Sequence, residues 1–287
     1  MDHRSLWRRI VDFPLVAMLI ALGLLILGLV VAYLVATNLP RPRGMGIEVT
    51  FDLVAIPILL LIYKLAITRL GERPRDDLRL SGSMKPLGLG LAAGFLIFSL
   101  IVAVAGALGI YRITGLADLR GLPTALVASA IFPAISEEIV FRGVLFRWLE
   151  EFGGSWLALI LTSAFFGAGH LMNPNASTIA AVGIAFEAGV MLGAAYMLTR
   201  SLWLPMGIHA AWNFTQGEIY DIPVSGMPVH GIVDARLCCN PLLTGNGFGL
   251  EASLIAMVIA TLFGLWLLWL AIQRGQLVGP WWARRRA

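Results

Sequence analysis

Three short stretches of this sequence place acids, histidines and an amide at helical spacing inside apolar runs. They are Glu137-Glu138-Ile-Val-Phe-Arg142, Phe166-Gly-Ala-Gly-His170 and His209-Ala-Ala-Trp-Asn213. Ionisable groups in such runs are costly if they face lipid, so we interpret them as functional. An acid, two imidazoles and a carboxamide can supply a general base, a group that orients water or binds a metal, and a donor to an oxyanion.

Helical geometry separates the roles of these residues. Residues four apart share a helix face, whereas adjacent residues point about 100° apart. Glu138 and Arg142 are therefore predicted to pair as a buried brace. Glu137 lacks such a partner and is free to face a cavity, while His209 and Asn213 lie on one face of their helix.

Other catalytic devices are absent from the sequence. There is no His-Glu-x-x-His, no Gly-x-Ser-x-Gly and no Gly-x-x-x-x-Gly-Lys, which argues against a zincin, a serine-hydrolase elbow and a phosphate loop. A transporter or proton relay is an alternative, because buried Glu, His and Arg also mark ion paths. A transporter should show internal repeats, and the sequence shows none.

The composition is that of a membrane protein. Of the 287 residues 59% are hydrophobic and 13% charged, against about 45–50% and about 25% in soluble domains. The net charge of +4 is explained by basic residues at helix ends, which favours a bilayer over nucleic acid as the partner.

Eight apolar runs predict an all-α, polytopic membrane helix bundle of about eight transmembrane helices. The runs cover about 14–35, 51–70, 86–110, 122–149, 156–170, 178–199, 203–216 and 251–273. With the N-terminus inside, 15 Lys and Arg residues fall on the cytoplasmic side and 5 on the other. The bias predicts that both termini are cytoplasmic. We expect a multi-pass protein of a bacterial cell membrane.

The three motifs, in this order on successive membrane helices, resemble the type II CAAX prenyl endopeptidases, also called the CPBP or Abi family of intramembrane proteases. The family includes bacteriocin-processing and bacteriocin-immunity relatives. The resemblance covers about residues 122–216. It divides the chain into N-terminal helices without a motif (1–121), a protease core (122–216), an extracytoplasmic loop (217–250), and a last helix with a basic tail (251–287).

The resemblance implies hydrolysis of peptide bonds in a membrane-associated protein or peptide, as C-terminal CAAX-type processing or related peptide maturation. It makes Glu137 the catalytic glutamate, with Glu138 and Arg142 as the supporting pair. His170 would act with Glu137 on the water, and a further pair would hold the oxyanion, namely His209 and Asn213. A non-catalytic immunity or scaffold protein of the same superfamily is the alternative.

The resemblance leaves the metal open. His170, His209 and Glu137 match the ligand set of a catalytic Zn²⁺ site. The same residues also suffice for a metal-free site in which Glu137 and His170 activate water. The position of Asn213 beside His209 favours the second reading, since an amide suits a carbonyl oxygen better than zinc.

Two further features support a site at this depth. Pro133 removes a helix hydrogen bond one turn before Glu137, which predicts a local distortion and a polar cavity. Gly189 and Gly193 predict a close helix contact on the run 178–199. Glu187 on the same run is a second-tier candidate that lines the cavity or pairs with a histidine.

Overall fold

The computed structural model describes residues 5–41, 45–72, 74–118 and 121–284. Six of the charges used to predict the orientation lie outside these residues: Arg4, Arg43, Arg73, Arg120, Arg285 and Arg286.

Helices dominate the described chain, and each predicted apolar run forms one of them. A short helix, α1, precedes the first run, and the long helical run in the middle is divided at Gly154 into α5 and α6. The helices are α1 (Leu6–Val11), α2 (Pro14–Asn38), α3 (Ile47–Leu65), α4 (Met84–Ala107), α5 and α6 (together Leu122–Met172), α7 (Thr178–Thr199), α8 (Trp203–Phe214), α9 (Pro241–Thr244), α10 (Leu254–Gln273) and α11 (Trp281–Arg284).

Six helical runs in the described residues are long and apolar enough to cross a membrane. The difference from the predicted eight has two causes. The run Leu122–Met172 counts once but contains two helices, α5 and α6. Helix α8 has only 12 residues before a π-helical turn, Thr215–Ile219, extends it. The all-α membrane bundle is confirmed, whereas the number of complete crossings and the side of the termini stay predictions.

The break between α5 and α6 is set by glycine and by the C-terminal tail. Gly154 has φ 85°, a left-handed conformation that favours glycine. A Cβ at this position would lie 2.8 Å from the carbonyl oxygen of Val278. Ser155 continues the same contact, because its N–H donates to Val278 O and its hydroxyl accepts from Val278 N–H. The tail therefore holds the break in place.

The segments that connect the helices contact one another in two groups. In a topology with eight crossings, the segments within each group lie on the same side of the membrane. On one side, strand β1 (Tyr111–Leu116), which follows α4, pairs antiparallel with β2 (Val233–Leu237) in the predicted loop 217–250. On the other side, Arg200 after α7 bonds to Gln276 after α10. The two-stranded sheet was not predicted from the sequence. Its strands are short and lie in segments whose Gly and Pro content is typical of loops.

Glycines bring α4 and α8 into backbone contact. A Cβ on Gly90 would lie 2.4 Å from Leu204 O, and one on Gly94 would lie 2.3 Å from Ile208 O. Since Ile208 directly precedes His209, this packing fixes the helix that carries the second histidine.

Candidate active site

Glu138 and Arg142 form the predicted pair. Arg142 Nη1 lies 2.8 Å from Glu138 Oε1, and both side chains are fully buried. Arg142 Nη2 also donates to Gly189 O (3.3 Å) in α7, and its guanidinium stacks 4.9 Å from the Phe166 ring in α6. The predicted pairing is therefore present, and the pair contacts three helices.

Glu138 does more than brace, because it also orients a histidine. His209 Nδ1 lies 3.0 Å from Glu138 Oε1. A carboxylate accepts hydrogen bonds, so Nδ1 carries a proton, and Nε2 is the nitrogen available to a reacting molecule. Sequence spacing could not show this contact, since 71 positions separate the two residues.

Glu137 has the surroundings that its helical position predicts. Its side chain is one-third exposed, and its Oε2 lies 4.0 Å from His209 Nε2, wider than a direct hydrogen bond. Oε2 has no hydrogen-bond partner in the described part of the chain. Its carboxylate is thus available to a reacting molecule beside His209.

His170 is fixed by the phenylalanine of its own motif. Its Nδ1 lies 2.7 Å from Phe166 O, and because a carbonyl accepts, Nδ1 carries the proton. The Phe166 ring lies 4.9 Å from the His170 ring and 6.2 Å from the His209 ring. Since Nδ1 is bonded in both imidazoles, Nε2 is the nitrogen that each ring can offer to a water molecule or substrate. Among the described residues no hydrogen bond or ion pair joins His170 to Glu137, its predicted partner on the water.

Asn213 lies one helical turn after His209, as predicted, and is buried. Its Nδ2 donates to Ser129 O at 2.9 Å, which ties α8 to α5. The amide carries two N–H groups, so one remains for an oxyanion.

A cavity of about 30 Å³, large enough for a water molecule, joins part of the predicted site. The predicted residues in its wall are His170, Glu187, His209 and Asn213. Glu137 is not in this wall and approaches His209 from outside it. The second-tier candidate Glu187 is almost completely buried, and its Oε2 has no hydrogen-bond partner within the described ranges. Glu187 thus lines the cavity, the first of the two roles expected for it.

Local helix geometry explains how these side chains converge. Pro133 lies between two π-helical turns, Leu126–Ile131 and Ile139–Phe146. A third, Ala185–Gly189, contains Glu187. Such turns rotate the side chains that follow them and are frequent at functional sites. The distortion predicted from Pro133 is therefore present, in the form of the π-helical turns before and after this residue.

The glycines of α7 allow the close contact predicted for them. A Cβ on Gly189 would lie 2.7 Å from Ser163 Cα, and one on Gly193 would lie 2.6 Å from a methyl carbon of Leu159. Both neighbours belong to α6, so α7 packs directly against the helix that ends at His170.

Two polar residues of the cavity wall were missed by sequence reasoning. Glu251 precedes α10 in a 3₁₀ turn, Leu250–Ala252, and Ser225 lies in the loop 217–250. Glu251 resembles an ordinary acid before a helix, where it favours the helix dipole. A polar tight turn such as the one around Ser225 carries no catalytic signal in a sequence.

The side chains do not fit the zinc alternative. No three His, Cys, Asp or Glu side chains are grouped as metal ligands in the parts of the chain that the structure describes. His170, His209 and Glu137 therefore form no ligand set in this arrangement.

Comparisons with known proteins match the region of the three motifs. Residues 120–215 match the family described as "Type II CAAX prenyl endopeptidase Rce1-like". A Bacillus subtilis protein named "Putative membrane peptidase YdiL" is 24% identical over 189 residues, which cover 61% of this chain and 71% of the relative. No solved structure matches the chain.

Proposed function

Because this chain belongs to the type II CAAX prenyl endopeptidase, or CPBP, family of membrane peptidases, we propose that it is an intramembrane endopeptidase using water activated by glutamate and histidine. One observation carries the proposal. Glu137 Oε2, which has no hydrogen-bond partner among the described residues, lies 4.0 Å from Nε2 of His209, whose other nitrogen is bonded to Glu138.

In the proposed reaction Glu137 takes a proton from a water molecule, and the water oxygen attacks the carbonyl carbon of the scissile peptide. The carbonyl oxygen becomes an oxyanion that accepts hydrogen bonds from the remaining N–H of Asn213 and from Nε2–H of His209, which in this proposal is doubly protonated beside the Glu137 and Glu138 carboxylates. When the C–N bond breaks, the proton held by Glu137 passes to the leaving amine. The second proton of the water passes from the new carboxyl group to the amine, so the products are a carboxylate and an ammonium group, and one water molecule is consumed.

The two histidines have different roles in this proposal. His170 orients the water through Nε2, since its Nδ1 proton is held by Phe166 O. His209 is held by Glu138, and the buried Arg142 keeps that carboxylate in place. Fixed donors in a water-poor site stabilise developing charge without reorganising during the reaction.

We propose that these steps need no metal, because the candidate ligands are not grouped as a zinc site. The proposed substrate is a membrane-associated peptide or protein, as in CAAX-type C-terminal processing or related peptide maturation. The proposed location is a bacterial cell membrane with both termini in the cytoplasm.

The experiment that tests the function compares the membrane peptides of cells carrying wild type or Glu137→Gln. A peptide that persists uncleaved only with Glu137→Gln supports an endopeptidase. Glu48→Gln is the control, because Glu48 is an exposed acid in the first turn of α3 and lies outside the cavity. Identical peptide profiles for all three proteins would favour the non-catalytic alternative.

A further inference from the structure

Glu251 brings the last membrane helix into the active-site cavity. It lies outside residues 120–215 and outside all three motifs. Its side chain is 5% exposed, and it lines the same cavity as His170, His209 and Asn213. The cavity wall thus includes a residue from beyond the region that matches the family.

Donors from separate elements converge on the Glu251 carboxylate. Its Oε1 accepts the backbone N–H of Ser225, and its carboxylate also interacts with the Ser225 hydroxyl and the Trp212 side chain. Burial raises the pKa of Glu251. The carboxyl group thus connects α8 and the loop 217–250 in the cavity wall to which His170 also belongs.

The turn held by Glu251 adopts a conformation that serine does not favour. Residues 224–227 form a two-residue hairpin in which Ser225 has φ 50° and Gly226 has φ 82°. Such turns prefer Asn, Asp or Gly at both central positions. Here Ser225 is fixed from two sides, since Asn173 Nδ2 donates to Ser225 O while Glu251 accepts from Ser225 N–H. The surroundings thus fix the conformation of this part of the wall.

A loop anchor alone does not explain an acid at this position. Glu187 is a second buried acid in the wall of the same cavity, and burying two acids together is costly. A neutral amide would accept the same Ser225 N–H without that cost. An acid kept beside another buried acid and a histidine indicates a role in the site, as local costs of this kind concentrate at functional positions.

We propose that Glu251 is a positioning residue that holds His170 and the Ser225 turn around the scissile peptide. This inference rests on the proposed peptidase function. It predicts that the geometry of the cavity, and with it the rate of the chemical step, depends on a carboxylate at residue 251.

The test compares Glu251→Gln, Glu251→Asp and the control Glu48→Gln in the whole chain, with the peptide found to persist in Glu137→Gln cells as substrate. Glu251→Gln should fold in wild-type yield and lower kcat up to about 10²-fold, with little change in KM, because small misplacements of reacting groups have effects of this size. Glu251→Asp should recover part of kcat. Unchanged kcat in Glu251→Gln, or a loss that only follows the folded fraction, would overturn the proposal.

A second measurement does not depend on proteolysis. Diethyl pyrocarbonate is added to the proteins in liposomes, and modification of each histidine is followed by mass spectrometry. His170 should react several-fold faster in Glu251→Gln than in wild type, whereas the exposed His230 should react equally in both. An equal rate at His170 would refute the positioning role. If wild type cleaves no peptide in a Glu137-dependent way, the proposed function fails. The rate of His170 modification then tests by itself whether Glu251 positions His170.

Discussion

The buried pair of Glu138 and Arg142 and the adjacent Glu137 predict opposite effects of neighbouring substitutions. Arg142→Ala removes the charge that faces the fully buried Glu138 carboxylate and also removes the hydrogen bond to Gly189 O. Breaking a buried pair from one side costs about 3–5 kcal/mol. Since each 1.4 kcal/mol is a factor of ten, the folding equilibrium should fall by at least about two orders of magnitude.

Glu137→Gln should behave differently although it changes the next acid in the chain. The side chain is one-third exposed, and its Oε2 has no hydrogen-bond partner in the described structure, so folded yield should match wild type while cleavage is lost. Thermal unfolding in detergent and the monodisperse yield after size-exclusion chromatography measure both effects. Equal losses of folded protein in Arg142→Ala and Glu137→Gln would refute the distinction between brace and catalyst.

Glu138→Gln should combine both defects, because Glu138 bonds to Arg142 and to His209. The folded fraction should fall, and the protein that does fold should turn over more slowly than its amount predicts. An amide can donate to Nδ1 of His209 and so select the other tautomer of the ring. Wild-type turnover per folded molecule would show that Glu138 only braces the helices.

Three further predictions concern the oxyanion, the packing and the topology. Asn213→Ala should lower kcat by about 10²–10³ in steady-state assays, the usual loss for one oxyanion donor, and an unchanged kcat would remove this role. Gly94→Leu should reduce folded yield, because a Cβ there would lie 2.3 Å from a carbonyl of α8, whereas Gly88→Leu should be tolerated because no atom lies within 4 Å. Similar yields of the two variants would contradict the close α4–α8 contact. Reporter fusions after Arg200 and at the C-terminus should both indicate the cytoplasm, and an external C-terminus would contradict the eight-helix topology.

Apolar runs predicted the helices well, because a long uninterrupted run has few other solutions in a bilayer. Their ends and continuity were harder to predict. The break at Gly154 depends on the carbonyl of Val278, more than 100 residues away in the sequence. The pairing of β1 with β2 likewise depends on two loops that meet only after the bundle has formed.

In the site, likewise, the sequence predicted a contact within one helix but not the contacts between helices. Spacing of four residues correctly paired Glu138 with Arg142, because both lie on one helix. The bond from Glu138 to His209 and the place of Glu251 in the cavity arise from packing between helices. No periodicity within one segment contains that information, so these contacts were not predicted.

Cleavage by purified protein in liposomes tests the central claim most directly. Wild type and Glu137→Gln are incubated with the peptide that persists in Glu137→Gln cells, with and without a membrane-permeable zinc chelator, and the new termini are identified by mass spectrometry. Wild type should cleave at the same rate with and without chelator, and Glu137→Gln should not cleave. Cleavage by Glu137→Gln at the wild-type rate would contradict catalysis by this carboxylate, and loss of wild-type cleavage to the chelator would contradict the metal-free mechanism.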